Sequence, residues 1–262
     1  MNYKKAIRKR KSTRKYKNKK LDDKILNSIE NKIEDTNTLL SNQIEARVIE
    51  REKIESFVSG IIGDYRKIES PYYLVISSKG QSEDLIDVGF LGEKIILDLT
   101  KQELGTCWIG KIGDKKDIKR ELGLKNIPKA LIAFGYAKNK ATRDKEPDRK
   151  NLNELIIEGQ TNSLTQDILE LVKLGPSAVN QQPWRFLLKE KQIDFYLTKK
   201  GLFKKLLKKI SNLEKLNYID MGIALRHAEL GLREKEKEPK FHQKQPKKDR
   251  KKLEYIISLK TP

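Results

Sequence analysis

The chain has 262 residues and a single cysteine, Cys107, so no intrachain disulfide can form. So little sulfur suits a reducing compartment, and a cytoplasmic protein is expected. Histidine is almost as scarce. His227 and His242 lack the neighbouring Cys and His pairs of a zinc site, so no metal is expected. Aromatic residues make up only 7% of the chain and are thinly spread among the cations, which counts against a base-stacking surface. No apolar run approaches the ~20 residues needed to span a bilayer. The basic N-terminus is not followed by an apolar segment, as a secretory signal would require. Acid is outweighed by base: 37 Asp and Glu stand against 57 Lys and Arg, a formal net charge of +20. Such a charge attracts phosphates, anionic surfaces or acidic partners but does not specify a fold.

What the chain does contain is enough for a core. At this length folding removes roughly 70% or more of the extended-chain surface from water. The runs "YYLVIS" (Tyr72 to Ser77) and "ALIAFGY" (Ala130 to Tyr136) read as buried strands. The chain is therefore expected to be globular under a charged coat rather than disordered.

The same series of elements is legible twice. A helix begins near "LDDKIL" (Leu21 to Leu26) and another near "LTQDIL" (Leu164 to Leu169). Each is followed by Asn-Gln-x-x-x-Arg, "NQIEAR" (Asn42 to Arg47) and "NQQPWR" (Asn180 to Arg185), running into a strand-like stretch. Next come "DVGFLGEKIILDL" (Asp87 to Leu99) and "DMGIALRHAELGL" (Asp220 to Leu232), both Asp-x-Gly followed by apolar residues at helical spacing. The closing strands "LIAFGY" (Leu131 to Tyr136) and "YIISL" (Tyr255 to Leu259) complete the echo. One reading is the repetitiveness of any helix-and-strand chain; the other is duplication, one chain imitating a two-fold dimer. The boundary is expected in the polar linker "ATRDKEPDRKN" (Ala141 to Asn151), giving halves 1–147 and 148–262.

Two stretches carry chemistry. In "RKRKSTRKY" (Arg8 to Tyr16), Arg10, Ser12 and Arg14 alternate, so an extended backbone would turn all three to one face. Two guanidinium forks and a hydroxyl suit a terminal phosphate. Equally, eleven Lys and Arg lie between Tyr3 and Lys20 without an acid, and such a run can be mobile and solvated. The second stretch, "GPSAVNQQPW" (Gly175 to Trp184), reads as a helix end, a Pro-Ser turn and a strand opening at Trp184, with Pro183 discouraging helix at Gln182. A plain helix-to-strand connection explains the Gly, Pro and Ser but does not require the consecutive Asn180, Gln181, Gln182, Pro183 and Trp184.

With "RKSTRKY", "ELGTCWIGK" (Glu103 to Lys111), "DRKNLNELI" (Asp148 to Ile156) and "GPSAVNQQPWRF", most of the chain resembles the nitroreductase family of FMN-dependent oxidoreductases. In the usual family member the Pro-Ser-x-x-Asn-x-Gln-Pro-Trp segment follows the basic motif by a single helix. Here the first half has only the eroded "SNQIEAR" at that place, and the intact version lies in the second half. The second half in turn lacks a basic cradle, since "EGQTNSLTQ" (Glu158 to Gln166) has no cation. Family members are typically dimers with FMN at the subunit interface. The resemblance thus implies an α+β fold, a three-layer α/β/α sandwich of two degenerate repeats forming a single-chain pseudo-dimer. It would work as a monomer, with one composite FMN site retained and its symmetry mate lost.

By the same resemblance Arg10, Ser12 and Arg14 would bind the FMN phosphate, with Lys11 adding main-chain donors. Arg149, and with it Lys150, matches the basic pair that also reaches the phosphate. Pro176, Ser177, Ala178 and Asn180 would meet the flavin ring and ribityl chain. Trp108, Ile109 and Gly110 would pass under the ring with a backbone N–H near its reactive nitrogen; the alternative for Trp108 is core packing. The segment 60–67 is a further candidate ring contact. The implied partners are NADH or NADPH and a small acceptor such as a nitroaromatic or quinone. The chemistry would be the cofactor's, so no catalytic acid or base is demanded. Cys107 reads as a small core residue rather than a redox centre.

Two other readings stay open on the sequence. The stretch Arg233 to Lys252, with ten Lys and Arg against four acids, could bind nucleic acid nonspecifically. The segment 202–210, "LFKKLLKKI", has the pattern of an interfacial helix and equally that of a surface helix packed on a core. In either case the flavin fold would be a relic.

Overall fold

The computed structural model describes residues 1–35, 38–41, 43–54, 68–110, 112, 114–199, 213–243 and 250–262. Asn42 and the segments 60–67 and 202–210 lie outside the described residues, as does 244–249 of the basic C-terminal stretch. The chain divides into two units, Met1–Glu146 and Pro147–Pro262.

The first unit opens with helix α1 (Tyr3–Lys9), started by the Asn2 side chain, which accepts the Lys5 N–H at 3.0 Å. Helix α2 (Asp23–Asp35) and strand β1 (Ile44–Glu50) follow, then a short 3-10 turn (Arg51–Lys53) and strand β2 (Tyr72–Ser78). Helix α3 (Ser82–Lys101), β3 (Gly105–Ile109), α4 (Lys115–Glu121) and β4 (Pro128–Gly135) complete it. The strands form one antiparallel sheet in the order β1-β2-β4-β3. Every residue of β2 is buried, as its unbroken apolar run predicts for a strand covered on both faces. Alternation assigns the two faces. Tyr73, Val75, Leu131 and Ala133 join a core cluster with Tyr16, Cys107 and Ile118. On the other face, Ile132 and Trp108 meet α3 at Gly92. Helix α3 is buried along most of its length, including Asp87 and Glu93, and each of these carboxylates has a polar partner.

The second unit comprises α5 (Leu152–Leu155), β5 (Ile156–Glu158), α6 (Ser163–Val172), a 3-10 turn (Ala178–Asn180), β6 (Trp184–Lys189) and β7 (Gln192–Thr198). Helix α7 (Leu213–Arg233), β8 (Lys240–His242) and β9 (Leu253–Lys260) follow. Its sheet runs β5-β6-β7-β9-β8, with β5 parallel to β6 and the other pairs antiparallel. Helix α6 starts at a reciprocal cap: Asn162 accepts the Thr165 N–H at 2.8 Å, and Thr165 accepts the Asn162 N–H at 2.9 Å. Trp184, Phe186 and Phe195 are wholly buried, the two phenylalanines edge to face at 5.4 Å. His227 is a core residue, its Nδ1 paired with the Leu171 carbonyl at 2.9 Å.

Leaving aside the short α1, α4, α5 and β5, both units read helix, two strands, helix, two strands, and both sheets place the fourth strand between the second and third. The mixed helix-and-sheet architecture is the α+β class that the sequence predicts. Among the described residues no helix is long and apolar enough to cross a membrane.

Candidate functional site

The basic stretch is laced into the first unit rather than hanging from it. Isolated bridges tie Arg10 to Thr142, Ser12 to Thr106 and Tyr16 to Ala137. The Thr13 N–H donates to the Thr106 carbonyl at 2.8 Å, and the Lys17 N–H to the Tyr136 carbonyl at 2.7 Å. The three alternating residues lie at different depths. Arg10 is 3% exposed, Ser12 is half-buried and Arg14 is exposed. Thr13, between Ser12 and Arg14, is buried with its side chain against Gly105, where a Cβ would stand 2.7 Å from its methyl carbon.

Arg10 caps α1, its N–H bonded to the Ala6 carbonyl at 2.8 Å, and this swings its side chain under α3. There its Nε lies 4.0 Å from Glu93 Oε1, an ion-pair distance without a hydrogen bond. Among the described residues the Nε and Nη1 groups of Arg10 have no hydrogen-bond partner, and neither do the buried hydroxyls of Thr13 and Thr106 in the same unit. A buried guanidinium with idle donors is expensive to keep, so the arrangement suits an anion that would complete it. Glu93, fully buried, accepts the Trp108 indole N–H at 3.0 Å on its other oxygen. The half-buried Trp108 packs its ring on Gly92 of α3. Ile109 ends β3 half-buried, and Gly110 is exposed, with no heavy atom of the described residues within 4 Å of where a Cβ would be. Among the described residues the backbone is thus open there.

The Cys107 thiol donates to the Trp108 carbonyl at 3.4 Å, and burial pushes it up from its ordinary pKa against the lowering pull of Arg14, Arg10 and Ser12. A buried thiol of that kind is a poor nucleophile. Sequence reasoning missed Glu93. Its signal was a carboxylate in the middle of the largely apolar "DVGFLGEKIILDL".

In the second unit the "PSAVNQQPW" segment is a strained turn. Val179, Asn180 and Gln182 hold positive φ values of 47°, 56° and 50°. A residue before proline is normally driven to extended backbone, yet Gln182 is left-handed. It is fixed from several sides: its N–H donates to Ser177 Oγ at 2.9 Å, its Oε1 accepts the Lys150 N–H at 2.9 Å, and its Nε2 donates to the Asn180 carbonyl at 3.2 Å. Arg149 is half-buried and braces the same turn. Its Nη1 donates to Asn180 Oδ1 at 2.8 Å and its Nε to the Gly175 carbonyl at 3.2 Å. Lys150 Nζ reaches the Gln181 carbonyl at 3.1 Å, and Arg185 Nη1 the Gln182 carbonyl at 3.0 Å. Burial pushes both Lys150 and Arg185 below their ordinary pKa values, and in Lys150 the Arg185 charge adds to it. Pro176, Ser177 and Ala178 are half-buried, while Val179 and Asn180 are exposed at the tip.

A further residue missed by sequence reasoning lies on α7. Asp220, almost wholly buried, accepts the Ala178 N–H on both oxygens at 3.1 and 3.0 Å. Burial pushes its carboxyl well above the usual carboxylate range, with the Ala178 N–H pulling the other way. Arg10, Ser12 and Trp108 are thus gathered in the first unit, and Arg149, Ser177 and Asn180 in the second. Among the described residues no group of three or more His, Cys, Asp and Glu could hold a metal ion.

Comparison with known proteins extends this description. The family model described as "Putative TM nitroreductase" matches residues 2–232. Among solved structures, the chain is similar to a "putative nitroreductase" from Thermotoga maritima, with 22% identity, a TM-score of 0.65, and coverage of 99% of this chain and 93% of that one. It is also similar to a "nitroreductase family protein" from Clostridium novyi, at 23% identity and TM-score 0.45 over 56% of this chain and 90% of that one. An "FMN-dependent nitroreductase" from Clostridium difficile matches at 24% identity and TM-score 0.45 over 53% of this chain and 91% of that one. No curated protein matches the chain.

Proposed function

The chain belongs to the TM nitroreductase family of oxidoreductases, and from that premise we propose that it is an FMN-dependent enzyme using NADH or NADPH. Its acceptor is a small molecule such as a nitroaromatic or quinone. The observation that carries the proposal is Arg10: a guanidinium 3% exposed, with two donor groups that lack a hydrogen-bond partner among the described residues. A phosphate supplies the oxygens that such a set lacks.

In this reading Arg10, Ser12 and Arg14 hold the FMN phosphate and Lys11 adds main-chain donors. Ser12 and Arg14 contribute from shallower positions than Arg10. The open backbone at Ile109 and Gly110 borders the ring, with Trp108 as the packed wall behind it. Pro176, Ser177, Ala178 and Asn180 meet the ring and ribityl chain. Arg149 contributes by holding the Asn180 side chain in place. When bound, FMN supplies the redox chemistry, taking a hydride equivalent from the nicotinamide and passing electrons to the acceptor. The protein's part is binding and orientation. The two units are, in the same reading, copies of one ancestral unit. The chain acts as a cytoplasmic monomer without a nucleic-acid or membrane partner.

The visible spectrum of the purified protein tests this directly. A flavin band that bleaches on adding NADH or NADPH is expected, with one FMN per chain. Arg10→Ala should weaken FMN binding by about 1.5–3 kcal/mol, the worth of a hydrogen bond to a charged group, and leave riboflavin binding unchanged. A colourless protein that cannot be loaded would refute the function. Equal losses for FMN and riboflavin in Arg10→Ala would refute the phosphate assignment alone.

A further inference from the structure

Three left-handed non-glycine residues within four positions do not hold themselves. Something must over-determine the backbone from Ser177 to Gln182. Most of the fixing bonds described above come from the turn itself or from the adjoining Arg149, Lys150 and Arg185. One comes from a distant element: Asp220 of α7, whose carboxyl takes the Ala178 N–H on both oxygens.

The first unit repeats the device. Asp87 lies on α3, the long second helix of that unit, as Asp220 lies on α7, and both are the Asp of an Asp-x-Gly. Asp87 is fully buried and takes the N–H groups of Leu39, Leu40 and Ser41 at 2.7, 3.0 and 2.6 Å. Leu40 bonds both of its oxygens, the second at 3.2 Å, as Ala178 does those of Asp220. In each unit, then, a carboxyl from the long helix grips the segment that leads into the first strand of the hairpin-like pair. The segments differ in content. Residues 39–41 lack the Pro-Ser-Ala-Val-Asn sequence that the second unit carries.

The geometry points to Asp220 as a positioning residue for flavin binding, pinning the Ala178 amide so that the turn stands in its left-handed shape before any ligand arrives. This rests on the reading of the turn as a flavin contact. The principle is preorganisation: a turn already in the bound shape spares the ligand the ordering cost. A merely structural Asp220 would stabilise the fold and leave affinity alone, and Asp87 supplies the internal comparison.

The experiment measures the Kd for FMN and the Tm of the parent chain, Asp220→Ala, Asp220→Asn and Asp87→Ala. Loss of one well-made hydrogen bond to the turn should raise the Kd of Asp220→Ala about tenfold. Asp220→Asn keeps a carboxamide oxygen that can accept the same amide and should recover most of the affinity. Asp87→Ala should lower Tm as Asp220→Ala does but leave the Kd unchanged. Parent-like affinity in a folded Asp220→Ala would overturn the inference, and so would an equal loss of affinity in Asp87→Ala. If Asp220→Ala does not fold, hydrogen exchange of the ligand-free parent decides: the Ala178 amide should be protected, and rapid exchange there overturns the inference. If the parent binds no FMN, the flavin reading falls, while Ala178 exchange still decides whether Asp220 pins the turn.

Discussion

At the scale of single residues the second unit holds an unusual backbone choice. Val179 is β-branched and 58% exposed, yet it sits at φ 47° and ψ 29°. For an L-residue the left-handed conformation costs roughly 1–2 kcal/mol, and glycine largely escapes that cost. Against this stands the larger entropy that glycine loses on folding, roughly 0.5–1 kcal/mol. Exposure means that little buried surface is lost with the side chain. The balance favours the smaller residue, so Val179→Gly is expected to stabilise the protein by about 1 kcal/mol or less, a rise in Tm of up to about 2–4 °C. Thermal unfolding checks it; a fall in Tm would mean that the valine side chain holds the turn by packing.

Elements impose their own constraints, and the contact of α3 with β3 shows which one wins. Gly92 lies in the interior of α3, where alanine would ordinarily favour the helix by about 1 kcal/mol. A Cβ there would stand 2.3 Å from the Trp108 ring and 3.0 Å from the Ile132 side chain, however, and neither belongs to a flexible charged tail. Overpacking of a buried contact costs about 1–3 kcal/mol, so Gly92→Ala should be destabilising despite its better propensity. It should also shift the Trp108 indole off Glu93, which a change in tryptophan fluorescence would report. An unchanged Tm and emission would show that β3 yields without cost.

The elements themselves were readable from the sequence where apolar residues are continuous or periodic. Strands β2, β4 and β9 and helices α3 and α7 all fall on stretches that the pattern marks. The three-residue strands β5 and β8 are too short for periodicity to register. In the site, the stretches were legible but their side-chain placements were not. Arg10, Ser12 and Arg14 differ in depth, and the depth depends on packing such as that of Thr13 on Gly105, nearly a hundred positions away. Pro183 discourages helix at Gln182 without specifying a left-handed shape, which depends on Lys150 and Ser177. Glu93 and Asp220 act on residues far along the chain, and no local rule reaches that distance.

For the whole molecule the decisive quantity is charge. A net +20 on 262 residues repels itself in the folded state. Exposed ion pairs such as Lys140–Asp144 and Lys235–Asp167 work against that repulsion, but each is worth only about 0–1 kcal/mol and weakens with salt. Raising ionic strength from about 0.01 to 0.15 M shortens the screening length from about 30 to 8 Å, which relieves repulsion across the molecule more than it loosens contacts a few ångströms long. Sodium chloride should therefore raise Tm by a few degrees, and a steady fall would show that the ion pairs outweigh the excess. Phosphate at the same ionic strength separates general screening from a specific site. An anion bound only by the folded protein adds stability by mass action. If the idle donors of Arg10 form a phosphate cradle, phosphate should raise Tm beyond chloride in the parent and no further than chloride in Arg10→Ala. Equal gains from both salts in both proteins would leave the positive charge as a diffuse coat and deprive the cradle of its support.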